Sequence, residues 1–381
     1  LCRGNSMIYT RPDYYNEFKC IADKCIDTCC AGWQIVIDEE SLEKYKKIKG
    51  DYIWKVMTNV DWEEGCFRQD CEKRCGFLNK NNLCELYINV GEDSLCKTCR
   101  DYPRHTEEYE DVREVMLSAS CPEVARILME RMTPVHFITE EHPEIEEDLE
   151  FGAFDPFLFS VIEDGRNAMI EILQNRFLPL KERMVLVMGM AHDMQRRVNR
   201  RQLFDCDRVI EKYKKTQSQE YVREYLAQND PVEIEIIARE TYPLIYELEL
   251  LREEWDALLK KSQETLFGPG EGFFADRQRE FVLWKQEHPD MEIHLEQIMV
   301  YFLYTYFPGS VYDGQLFAKA QMSVYCTWMI ELLWMARWMM NGKTLNLEEM
   351  TELLYRFCRE IEHSDENLEA LDEMMRKKWL L

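Results

Sequence analysis

From about residue 155 onward, apolar positions return every three or four residues almost without a break, the spacing of one helix face. The pattern predicts helices over about 156–176, 180–199, 201–217, 231–262, 274–287, 291–307, 314–341, 347–362 and 365–379. Pro156, Pro231, Pro269, Pro289 and Pro308, with Gly268 to Gly272 and Gly342, punctuate them. Before residue 140 the pattern is shorter and less regular. Trp33 to Asp38 alternates like a short strand, and a helix is expected from an Asp38/Ser41 cap through Leu42, Tyr45 and Ile48 to Gly50. Val112, Val115 and Leu117 mark one strand of a small hairpin between Tyr109 and Ala119. After Pro122, the spacing of Val124, Ile127 and Leu128 is helical again.

The expected fold is mainly α. A small irregular cysteine-rich domain with a short hairpin spans 7–139, and an α-helical bundle or array spans 151–381. The acidic run Glu140 to Glu150, interrupted by Pro143, is read as the boundary. Met322 to Met340 is nearly continuous in apolar residues, but Glu331 and Arg337 interrupt it. A large helical domain needs such a buried helix, so a transmembrane span is not expected. Peripheral association with a membrane stays open.

Charge narrows the partners. A formal net charge of −25 over 381 residues argues against nucleic acid, because like charges repel and no Lys/Arg tract offsets them. Leu1 to Ser6 does not read as a secretion signal, so Cys2 is set aside and a cytoplasmic location is expected.

Cysteine placement changes the picture most. Eleven of the fifteen Cys lie between Cys20 and Cys121; only Cys206, Cys326 and Cys358 follow, and these read as buried thiols. Chain size, the lack of a secretion signal and twenty oxidisable Met disfavour a disulfide framework and favour metal binding. The informative spacings are Cys25-x3-Cys29-Cys30, Cys75-x8-Cys84 and Cys96-x2-Cys99, with Cys121 arriving after the hairpin. Four thiolates suffice for tetrahedral zinc or a cubane iron–sulfur cluster. Adjacent Cys29 and Cys30 point in different directions, and the density exceeds what one metal needs, so some thiols are structural or there are two sites. Spacing alone leaves zinc and iron–sulfur open. The radical S-adenosylmethionine loop C-x3-C-x2-C is not met. Cys25-x3-Cys29 is followed at 32 by Gly, and Cys71-x3-Cys75 at 78 by Leu.

The runs CIDTCCAGWQI (25–35), CGFL (75–78), LCELY (83–87), GEDSLCKTCRDYPRH (91–105) and SCPEVAR (120–126) resemble the bacterial flagellin lysine-N-methylase family. Their earlier parts are also similar to the wider group of zinc- or iron-chelating Cys-rich domains. The resemblance is dense over about 13–130 and continues more loosely through HLEQIMVYFLYTYFP (294–308). It implies a lysine N-methyltransferase that acts on flagellin or a similar surface protein, uses S-adenosylmethionine and depends on a [4Fe-4S] cluster. Cys25, Cys29, Cys30, Cys75, Cys84, Cys96, Cys99 and Cys121 are then the candidate ligands, with zinc as the alternative metal. Cys66 and Cys71 match no position of the family.

A cationic methyl donor favours aromatic faces. Tyr301 and Tyr304 share a helix face and are the donor-binding candidates, against aromatic core packing as the plainer reading. Gly268-Pro-Gly-Glu-Gly272 lacks a preceding strand and reads as an interhelical turn, not a Rossmann phosphate loop. Arg104 and His105 stand beside the Cys99 element, either to steer an anion or as a surface salt bridge. Arg196, Arg197, Arg200 and Arg201 complement a helix C-terminus. His192 reads as a core histidine. The rival reading of the whole chain is a non-enzymatic zinc- or iron-binding protein, or an export adaptor with a structural metal.

Overall fold

The computed structural model describes residues 6–143, 154–228, 231–268 and 272–378. Most of the acidic run at the expected boundary, Cys2 and residues 269–271 of the glycine loop lie outside them. The strands are β1 (Met7–Pro12), β2 (Val60–Asp61), β3 (Cys66–Phe67), β4 (Arg104–Tyr109), β5 (Val112–Leu117) and β6 (Phe137–His142). Four of them form a sheet in the order β4-β5-β1-β6. β1 runs parallel to β5, with Ile8 opposite Val112, and antiparallel to β6, with Tyr9 opposite Glu140. The expected hairpin is therefore β4–β5, enlarged by strands from both ends of the N-terminal third. Trp33 to Asp38 forms no strand. It makes only an isolated bridge from Val36 to Cys66, because this part of the chain has no long extended partner.

Five helices belong to the N-terminal third: α1 (Glu39–Lys46), α2 (Ile53–Asn59), α3 (Glu85–Val90), α4 (Lys97–Asp101) and α5 (Pro122–Glu130). Asp38 caps α1 by accepting from Ser41 N, as its sequence position suggests, though the helix stops at Lys46, short of Gly50. The rest of the chain is helical: α6 (Pro156–Leu173), α7 (Leu180–Asn199), α8 (Cys206–Tyr213), α9 (Thr216–Ala227), α10 (Pro231–Thr241) and α11 (Glu253–Leu266). α12 (Phe273–Glu287), α13 (Asp290–Tyr306), α14 (Ser310–Asp313), α15 (Leu316–Met340), α16 (Leu347–Glu362) and α17 (Asp365–Lys377) follow. The expected 231–262 helix is split. Pro243 carries no N–H to continue the ladder, and Tyr242–Glu247 tightens into a 3-10 segment instead.

α15 is apolar on nearly every face, and it is the axis of the helical half, packing on α7, α11, α13, α16 and α17. Trp334 and Trp338 are fully buried along it. Truncating either to Ala would cost about 3–5 kcal/mol. No helix of the described residues is long and apolar enough to cross a membrane.

The hydrophobic interior has two parts. The main core joins the sheet and α5 to the helical half, from Tyr14 and Leu117 through Ile162 and Leu186 to Phe357. A smaller satellite core lies wholly within residues 30–99. It is built on Ile35, Ile37, Tyr45, Val56, Phe67 and Phe77, with the Phe67 and Phe77 rings edge to face at 5.3 Å. The sheet thus belongs with the helices, and only the loop-rich segment has a core of its own.

Candidate functional site

Cysteines take up much of the wall of the satellite core. Cys75 and Cys96 are buried in it, and Cys30, Cys84 and Cys99 pack against it. Backbone bonds set their places. Cys75 N donates to Cys30 O at 2.8 Å, and Leu78 bridges to Cys84. Cys84 precedes α3 and Cys96 precedes α4, so both stand at the starts of short helices, where burial nonetheless raises the Cys84 thiol. Cys99 follows one turn into α4, and Thr98 Oγ1 ties that turn to Val36 O at 2.9 Å. In CGFL the glycine is a steric necessity, since a Cβ at Gly76 would overlap the Asn59 side chain.

The second group of thiols lies where the loop meets the helical half. Arg359 of α16, 2% exposed, donates from Nε to Ser120 O at 2.8 Å and from Nη2 to Asp27 O at 2.7 Å. Its Nη1 also pairs with the Asp27 carboxylate at 2.7 Å. Arg252 grips the same carboxylate at 2.9 Å and donates to Ala31 O at 3.0 Å. Two guanidiniums thereby clamp the Cys25–Cys30 loop against Ser120 and Cys121. Gly32, at φ +90°, leaves room for Arg252, whose Nε would stand 2.5 Å from a Cβ there. Trp33 stacks on His363 at 4.7 Å and donates to Cys29 O at 2.7 Å.

The thiols in both places perturb one another. Cys29 donates to Cys30, which lowers Cys30 to about 7 and holds the Cys29 proton on. Cys96 and Cys99 repeat this, Cys96 being lowered and Cys99 raised well above its ordinary value. Burial pushes Cys75 up to about 12 and Cys121 up to about 11. All described cysteines are free thiols.

Among the described residues no three Cys, His, Asp or Glu side chains stand as ligands around a single ion. The donor chemistry nevertheless fits a thiolate-bound metal. The sulfurs are soft donors, and backbone bonds bring the segments that carry Cys30, Cys75 and Cys84 side by side. Cys66 is buried and accepts from Gln34 Nε2 at 2.9 Å, whereas Cys71 is exposed.

Tyr301 and Tyr304 lie in the main core. Tyr301 OH donates to Glu362 at 2.6 Å and accepts from Ala119 N at 3.0 Å. Tyr304 OH donates to Thr10 O at 3.1 Å, and its ring stacks on Phe137 at 4.2 Å and carries Arg166 at 4.8 Å. Arg104 packs over the Phe18 ring at 5.1 Å, and His105 pairs with Glu107 at 2.6 Å.

Sequence reasoning missed a cavity of about 1310 Å³ between α7, α9, α10, α12, α13 and α15. Tyr221, Tyr225, Tyr325 and Trp328 present rings to it, and the ion pair Lys285–Glu331 edges it. His192, expected in a core, stands in its wall. The Tyr325 side chain is 1% exposed and its hydroxyl has no hydrogen-bond partner. Burial raises its pKa well above the ordinary range, so it stays a donor. An unpaired buried hydroxyl costs about 1–3 kcal/mol, and a polar ligand would recover it. The aromatic density of α9 was the available signal, but its weak apolar spacing hid the helix.

Fold, thiols and cavity together define a mainly helical, cysteine-rich protein with a large aromatic-lined cavity in its C-terminal half. That half matches a family: residues 166–380 fit the FliB lysine N-methylase C-terminal domain. The chain belongs to the FliB lysine N-methylase family. It is 30% identical over 129 residues to the flagellar biosynthetic protein FliU of Salmonella muenchen, covering 31% of this chain and 76% of that one. It is 31% identical over 129 residues to the lysine-N-methylases of Salmonella typhimurium and Salmonella choleraesuis, covering 32% of each. The alignment thus spans about a third of the length of those two relatives. No solved structure matches the chain.

Proposed function

We propose that this chain methylates lysine ε-amines of flagellin or a similar exported flagellar protein, with S-adenosylmethionine as donor and a [4Fe-4S] cluster on its thiols. The observation that carries the reading is the aromatic cavity inside the segment that matches the methylase domain. A sulfonium is attracted to the faces of Trp328, Tyr325, Tyr221 and Tyr225, and the Glu331 carboxylate adds to that attraction. The unpaired Tyr325 hydroxyl offers a donor to a ligand carboxylate or ring nitrogen. A lysine entering the same apolar space has its pKa lowered by desolvation, which exposes the nitrogen lone pair. That pair attacks the methyl carbon, the carbon–sulfur bond breaks with its electrons passing to sulfur, and the nitrogen then loses a proton. Held in line, the two reactants need no bimolecular encounter. A cluster would be held by thiols among Cys25, Cys29, Cys30, Cys75, Cys84, Cys96, Cys99 and Cys121, and its ligation would add folding free energy to the loops that carry them. Free thiols throughout the described chain suit the reducing cytoplasm, before the substrate is exported.

The test is the anaerobically purified full chain incubated with flagellin and S-adenosylmethionine, followed by mass spectrometry of the lysines. Methyl gain is expected, and Trp328→Ala should abolish it at unchanged metal content. A brown, metal-replete protein that transfers no methyl would overturn the reading. A colourless zinc protein with no transfer would favour the structural-metal alternative.

A further inference from the structure

The aromatic cavity differs from end to end. Lys181, Lys285, Glu292 and Glu331 line it where α7 begins, and His192, Tyr213 and Phe317 line it toward the close of that helix. Lys181 and His192 stand ~16 Å apart along α7, which leaves room for an amino acid joined to a nucleoside. At the far end the rings pack closely. His192 meets Phe317 edge to face at 5.4 Å, and the Tyr213 ring lies on Gly189, where a Cβ would stand 2.9 Å from it. At the near end three of the four charges are committed. Lys285 pairs with Glu331. Glu292 accepts from Leu180 N at 3.3 Å and faces Arg183 at 3.5 Å. Lys181 is the fourth. Among the described residues no carboxylate pairs with it, and Glu331, whose charge reaches it, is taken by Lys285. The Lys181 side chain is accessible, yet the surrounding atoms already lower its pKa by desolvation. A cation so placed on a largely apolar wall is stabilised by an anion that arrives with a ligand.

We propose that Lys181 binds the carboxylate of the cavity's ligand, so that the methyl donor lies along α7 with its amino-acid end at Lys181 and its nucleoside toward His192 and Phe317. In that donor two methylenes and the α-carbon separate the sulfonium from the carboxylate. Trp328 precedes Glu331 by about one turn of α15, and its ring is fixed by Nε1, which donates to Thr241 Oγ1 at 3.3 Å. A sulfonium on that ring leaves the carboxylate to reach past Glu331 to Lys181. Tyr325 lies about a turn from Trp328 in the other direction, so its unpaired hydroxyl falls on the nucleoside side, where a ring nitrogen can accept from it.

The inference rests on the donor reading of the cavity under the proposed function, and two ligands separate them. The anaerobically purified full chain is titrated by calorimetry with S-adenosylhomocysteine and with methylthioadenosine, which has the same nucleoside and sulfur but no amino-acid end. Wild type should bind S-adenosylhomocysteine about 10- to 100-fold more tightly, the worth of one hydrogen bond between charged groups. Lys181→Met should erase that preference by weakening S-adenosylhomocysteine alone, and Lys181→Arg should keep most of it. Unchanged binding of methylthioadenosine shows that the Met variant is folded. Wild type that binds both ligands equally overturns this inference and leaves the donor reading standing, as does Lys181→Met that keeps the wild-type preference. Wild type that binds neither ligand overturns both.

Discussion

Glu360 gives the sharpest energetic test of the junction. It lies on α16, is 3% exposed, and its Oε2 accepts from Leu251 N at 3.0 Å. Burial raises its pKa from 4.5 to about 7, against the opposing pull of the Leu251 and Arg252 backbone and the charges of Arg252 and Lys73. At about 1.4 kcal/mol per decade of proton affinity, the gap corresponds to roughly 3 kcal/mol. The folded state binds the proton more tightly than the unfolded one. Stability from this group is therefore fully present below pH 4.5 and falls as pH rises through about 7. Glu360→Gln keeps the acceptor oxygen and removes the charge. The variant should be more stable than wild type by up to roughly 3 kcal/mol at pH 8 and nearly equal to it at pH 4.5. Urea unfolding of the full chain at both pH values, followed by far-ultraviolet circular dichroism, measures this. Equal stabilities at pH 8 would show that water reaches the carboxylate and would refute the reasoning.

Three further outcomes are expected. Arg166→Met should cost about 3–5 kcal/mol in urea unfolding, because it leaves the buried Glu114 carboxylate without its partner, and adding Glu114→Gln should recover most of that loss. Asn346→Ala should lower stability by about 1 kcal/mol by breaking the capping box with Glu349, and an unchanged unfolding midpoint would sink that assignment. Gly32→Ala should displace Arg252 from Asp27 and speed thiol labelling of Cys25 and Cys29 in metal-free protein; labelling at the wild-type rate would show that the clamp does not shield them.

Regular, well-capped elements were legible in the sequence. α7 and α16 match their expected bounds because a long apolar stripe and sharp ends coincide, with Asn346 marking the start of α16. α9 was missed because only Val222 of its twelve residues has its burial settled by the core, so no stripe is required. The strand expected at Trp33–Asp38 shows the opposite failure: its alternation serves a satellite core rather than a sheet. The cysteines stood out at once, yet the clamp on the Cys25–Cys30 loop could not be read. It depends on Arg252 and Arg359, which carry no local signal and lie more than 200 residues away. Tyr301 and Tyr304 were singled out for sharing a face, and that face turns to the core.

The clamp also bears on biosynthesis. Arg359 closes a loop of 332 residues when it reaches Asp27 O. Contacts of such long sequence separation form late, after most of the polypeptide has left the ribosome. The Cys25–Cys30 segment is thus made long before it is locked. Throughout translation its thiols wait in an open loop, where a metal donor can reach them and an oxidant can too. The clamp therefore closes only once α16 docks, and in a chain cut short of residue 359 Cys25 and Cys29 should stay open to thiol reagents.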